Sequence, residues 1–175
     1  MSTRHDRLIR ATAGLVRILR FLNGVIVAFA IIALAATFVA EPRLASLLSA
    51  KYGPAADVPA MLLLLRCLIA SVIPSAYIVE RLFRALGAIV AAVRDGLPFA
   101  PSNADHLRTI GWMLLALQLL DLGFGIVTWW ATRIGVEVAT WQPSVTGWVA
   151  VLIAFILVRV FAAGTAMRDD LAGTV

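Results

Sequence analysis

The chain has 175 residues, of which 62% are hydrophobic and 14% charged, with a formal charge of +5 and a mean hydropathy of +0.95. That is too apolar for a water-soluble domain of this length, so lipid must be the principal solvent. The charge does not point to direct nucleic-acid binding, because the positive residues flank the apolar runs, as membrane insertion requires. Anionic lipid is the better match for them.

Residues 21–40 carry no charge and are long enough to cross about 30 Å of hydrocarbon at about 1.5 Å per residue. Arg20 ahead of this run, and the small residues of Ala33-Leu34-Ala35 within it, could also be read as a signal peptide. The run continues to Ala40, past the point where such a segment would be cut, and this favours a full span. Three further runs follow: residues 58–79 with Arg66 and Pro74, 110–131 with Gln118 and Asp121, and 145–163 with Arg159. An all-α, single-domain membrane protein with four spans is predicted, with Pro74 as a kink in the second.

The arginines orient it. Arg4, Arg7, Arg10, Arg17 and Arg20 precede the first span, and Arg81, Arg84, Arg94 and Arg108 lie between the second and third. The opposite side offers Arg43, Lys51 and Arg133, with acids in the same loops. Both termini are therefore expected in the cytoplasm, and the membrane is expected to be a bacterial inner membrane. Trp129, Trp130, Trp141 and Trp148 at the outer ends and Trp112 at an inner end are placed as an interfacial belt.

Between the first two spans, Leu44, Leu47 and Leu48 predict a short surface helix ended by Gly53-Pro54. The second span is expected to continue beyond residue 79. Leu82, Phe83, Leu86, Ile89, Val90 and Val93 recur at helical spacing, and Asp95-Gly96 ahead of Pro98 should stop the helix. Residues 80–109 then form a cytoplasmic hairpin turning at Pro98-Phe99, with Ser102 or Asn103 as the cap of the next helix.

Two segments resemble the DUF2975 family of membrane proteins. One comprises Asp95-Gly96-Leu97-Pro98-Phe99, Asn103, Leu107-Arg108 and Ile110-Gly111-Trp112; the other comprises Phe161, Gly164, Met167, Arg168-Asp169-Asp170-Leu171 and Thr174-Val175. The chain has Gly173-Thr174 where the family usually shows a pair nearer Leu-Thr. The resemblance implies four spans, no enzymatic activity, and a regulatory role in partnership with a small helix-turn-helix protein of the Cro/C1 type. Phe83, Arg84, Pro98, Phe99, Asn103, Asp169 and Asp170 are the docking candidates for it, the acids facing a basic DNA-binding partner.

Inside the membrane the polar cluster is Arg66, Gln118, Asp121 and Arg159. At about 1.5 Å per residue, Arg66 lies about 12 Å and Asp121 about 15 Å below the outer surface, so they could pair; Arg159, about 20 Å down, could reach up or snorkel to the inner interface. A structural ion pair that fixes helix register is the first expectation. A small transporter, or a proton or ligand sensor built on Asp121 and Arg66, is the alternative.

Catalytic, metal and cofactor sites are not expected. His5 and His106 lie outside the spans, where they cannot serve as axial haem ligands, and the single cysteine, Cys67, allows neither a disulfide nor a thiolate cluster and is expected to pack. The first span lacks the acid expected of small drug-proton antiporters. Small-residue pairs at Gly24 and Ala28, Ser71 and Ser75, and Ala150 and Ala154 suit close helix packing within the chain and also allow a homo-oligomer.

Overall fold

A computed structural model describes residues 2–54, 56–96, 101–136 and 141–172. Five helices run in chain order: α1 (Ser2–Val39), α2 (Glu41–Tyr52), α3 (Val58–Arg94), α4 (Pro101–Arg133) and α5 (Val145–Ala172). Four of them, α1, α3, α4 and α5, are long and apolar enough to cross a membrane. Each charge-poor run of the sequence lies within one of these four apart from Ala40, the residue between α1 and α2. The helices exceed the runs: α1 has 38 residues and α3 has 37, about 55 Å each, against about 30 Å of hydrocarbon.

The stops follow from local chemistry. The Asp57 carboxylate accepts the Ala60 N–H at 3.1 Å and so caps the start of α3. Gly96 takes φ 76° just past the end of α3, the left-handed turn expected at Asp95-Gly96. Past α4, Gly135 has φ 74° while the Val136 and Gly135 N–H groups bond the Ala131 and Thr132 carbonyls, closing the helix with a Schellman turn. One predicted cap is corrected. The backbone of α4 begins at Pro101, so Ser102 and Asn103 lie inside the first helical turn rather than before it; proline suits that first position because its missing N–H has no partner there anyway.

Contacts divide the chain into two compact units. One comprises Met1–Asn23, Ile78–Gln118 and Val145–Val175, and the other Gly24–Tyr77 and Leu119–Ser144. The burial pattern is that of a protein solvated by lipid. Ala30, Ala76, Ala85, Ala131 and Ala154 are buried together with Thr37, Gln118 and Thr128, whereas Phe21, Phe29, Ile32, Ile126, Leu152 and Ile156 face outward. Small residues let helices approach closely, and large apolar ones meet acyl chains.

α2 buries none of its residues: Leu47 is exposed while Leu44 and Leu48 are half-covered, which suits a helix lying on a membrane surface. Pro74 lies inside α3; its ring removes the donor that the Ala70 carbonyl would use.

Three packing expectations change. Cys67 is exposed rather than packed. Gly24 and Ala28 are also exposed, so among the described residues this pair packs no helix. Trp141 is tucked against α4 instead of standing in a belt, as described below.

Candidate functional site

The polar residues of the second unit are held by near neighbours. Arg66 on α3 reaches the corner between α1 and α2. Its Nη2 donates to Glu41 Oε2 at 2.7 Å and to the Thr37 carbonyl at 3.1 Å, and its guanidinium lies 4.0 Å from the centre of the Phe38 ring. Thr37 is buried and bonds the Leu34 carbonyl through its hydroxyl. A cation that enters a lipid-solvated helix is thus neutralised and stacked at once, and it ties α3 to the end of α1.

Asp121 has a different partner: the Trp141 indole donates to its Oδ1 at 3.3 Å. Trp141 lies across the face of α4 that also carries Gly125, one turn on. A Cβ on Gly125 would stand 2.7 Å from two carbons of the Trp141 ring, so only glycine lets the ring settle there. Trp141 therefore reaches about three turns down α4 from its end at Arg133.

The anticipated pairing of Arg66 with Asp121 is corrected accordingly. Among the described residues no ion pair joins them; Arg66 is taken by Glu41 and Asp121 by Trp141. The reason is that the sequence placed both residues by depth alone, while the corner at Glu41 and the placement of Trp141 against α4 supplied nearer partners.

In the first unit, Gln118 is buried beside Gly147 of α5, where any Cβ would collide with its carboxamide. Arg159 is exposed. Close by on the same pair of helices, Trp112 packs edge-on to Phe155 with ring centres 5.6 Å apart, and the Phe155 ring lies beside Gly111.

A surface groove lies between α1 and α3. Val16 is buried and its Cγ1 would sit 3.6 Å from a Cβ at Gly87, which marks the close approach of the two helices. Across the same contact Arg20 Nη2 meets Glu80 Oε1 at 2.7 Å, and Arg84, one turn along α3, donates to the same oxygen at 2.9 Å. These helices flank an open groove of about 370 Å³ lined by Val16, Gly87, Ala88 and Phe83 and by the four arginines Arg17, Arg20, Arg84 and Arg94. Among the described residues, Glu80 and, at 3.5 Å from Arg94, Asp95 are the acids paired with these four cations, which leaves the groove positive.

The docking candidates separate. Phe83 and Arg84 line the groove. Asn103 is wholly buried; it belongs to the packing of α4 and is not a docking surface. Pro98 and Phe99 lie outside the described residues, and so do the side chains of Asp169 and Asp170. Six residues past Phe99, Asp105 pairs with Arg108 at 2.9 Å.

The sequence used Arg17, Arg20 and Arg94 to orient the chain and overlooked them as a site. The signal was present in α3: Arg84, Gly87, Ala88, Ala91 and Arg94 recur at intervals of three and four, a small-residue stripe with an arginine at each end. Gly125, Trp141 and Glu41 carried no comparable signal.

Four long apolar helices with a lipid-facing exterior of large apolar side chains define a multi-pass helical membrane protein. Within that class, the sequence pattern described as "Protein of unknown function (DUF2975)" matches residues 43–175. The chain belongs to this family. No curated protein and no solved structure matches it.

Proposed function

We propose that the protein is a non-enzymatic protein of the bacterial inner membrane, with both termini in the cytoplasm, that holds a small regulator at the membrane. One observation carries this reading. All four long helices run on past their apolar stretches at the arginine-rich ends: α1 begins at Ser2, α3 continues to Arg94, α4 begins at Pro101 and α5 ends at Ala172. Helices that only needed to span would stop at the interface. Helical ground continued beyond it offers a docking surface, and the arginine bias supports placing that surface in the cytoplasm.

The partner suggested by the family resemblance is a helix-turn-helix protein of the Cro/C1 type. The acids Asp169 and Asp170 suit the basic surface with which such a protein meets DNA. Transport or sensing at Asp121 and Arg66 draws no support from the geometry, because each is engaged with a neighbour that fixes packing.

Photo-crosslinking in intact cells from probes at Phe99 and Leu171, with the products identified by mass spectrometry, tests the proposal. A helix-turn-helix protein captured at either position, and lost on deletion of residues 169–175, is the expected result. Capture of lipid alone, by protein that is folded and expressed in its native host, would overturn it.

A further inference from the structure

We infer that the groove between α1 and α3 is a binding site for the phosphate headgroup of an anionic glycerophospholipid. This does not depend on which protein, if any, docks nearby. The charge is the first argument. Arg17 makes no ion pair among the described residues, Arg94 is 3.5 Å from the exposed Asp95, and Arg20 and Arg84 share a single oxygen of Glu80. Among the described side chains, four guanidiniums thus face two carboxylates, and most of their N–H donors make no bond to them. Guanidinium donors arranged in a fork match phosphate oxygens in pairs.

Position is the second argument. Arg20 is the last charge before the uncharged run of α1, and Glu80 is the first charge after residues 67–79 of α3. Their contact therefore aligns the two helices where each changes from apolar to charged, which is the level of lipid headgroups. Just past Arg20 on α1, Phe21 and Leu22 are 72% and 52% exposed. They offer an apolar surface to the acyl chains of a lipid whose phosphate occupies the groove. Basic pockets between membrane helices hold anionic headgroups in this manner.

Shape is the third. Gly87, Ala88 and Ala91 keep the groove open, and about 370 Å³ falls within the range of small-ligand sites. A zwitterionic headgroup would bring its own cation among the arginines, so selection against phosphatidylcholine follows from the same charges.

The test is a titration of full-length protein in a neutral detergent with phosphatidylglycerol, phosphatidylcholine or glycerol 3-phosphate, with thermal unfolding as the readout. Phosphatidylglycerol should raise Tm saturably, and the other two should not at equal concentration. The double variant Arg17→Gln/Arg94→Gln should weaken the apparent affinity about thirtyfold, two basic side chains near a membrane surface contributing about fivefold each. Ala91→Phe should abolish binding by filling the groove while keeping every arginine, so the proposal stays decidable if the double variant folds poorly. Arg43→Gln/Lys51→Gln on α2, which removes the same charge elsewhere, should bind as the wild type does. Unchanged affinity in both groove variants, an equal loss in the α2 variant, or equally tight binding of glycerol 3-phosphate would overturn the inference.

Discussion

Replacing Gly125 by alanine sets two opposing effects against each other, and a second substitution separates them. The new Cβ would lie 2.7, 2.7 and 2.8 Å from Trp141 Cδ2, Cε2 and Cε3, whereas carbon atoms pack at about 3.5–4.0 Å. The ring must retreat by about 1 Å, which stretches its 3.3 Å hydrogen bond to Asp121 beyond useful length. Overpacking costs about 1–3 kcal/mol, and the lost hydrogen bond about 0.5–1.5 kcal/mol. Alanine returns up to about 1 kcal/mol of helix propensity. The net effect is a destabilisation of roughly 0.5–4.5 kcal/mol. With Trp141→Ala already present there is nothing to strike, and Gly125→Ala should be neutral or stabilising by up to about 1 kcal/mol. The two backgrounds should then differ by at least about 1.5 kcal/mol, measured by equilibrium unfolding in mixed micelles with a denaturing detergent. Equal effects in both backgrounds would show that Trp141 does not lie on Gly125, and the structural account of Asp121 would fall with it.

Two further outcomes rest on the same packing logic. Gly147→Ala should destabilise by about 0–3 kcal/mol, overpacking against the flexible end of Gln118 being offset by up to about 1 kcal/mol of helix propensity, and adding Gln118→Ala should recover part of any loss; a double variant no more stable than Gly147→Ala alone refutes the contact. Arg66→Gln should cost about 1 kcal/mol, because its Glu41 partner is half exposed. Combined with Asp121→Asn its effect should add within about 0.5 kcal/mol, whereas a recovery of stability in the double variant would mean that the two residues pair after all.

Much of the fold can be read from the sequence because a lipid solvent imposes stringent local rules. Twenty uncharged residues from Phe21 to Ala40 can satisfy their backbone in hydrocarbon only as a helix, and Asp95-Gly96 before Pro98 stops one for reasons local to those residues. The helical register of α3 beyond residue 79 shows in the repeat of Leu82, Phe83, Leu86 and Ile89. The groove was half legible, since its small residues and arginines share one face of α3, but that α1 supplies the other wall is not written in either segment.

What the sequence by itself determined, then, is that the four long helices exist, where α3 stops and which polar residues need an answer inside them, though not the start of α1 at Ser2 or the end of α5 at Ala172. Tertiary structure alone decided the answers: Glu41 for Arg66, Trp141 for Asp121, and Glu80 shared by Arg20 and Arg84. The physical reason lies in range. Backbone hydrogen bonding and the apolar to charged boundary act within a few residues, so one segment encodes them. A buried charge takes whichever partner the packing brings within about 3 Å, and depth along one helix says nothing about which neighbour that will be.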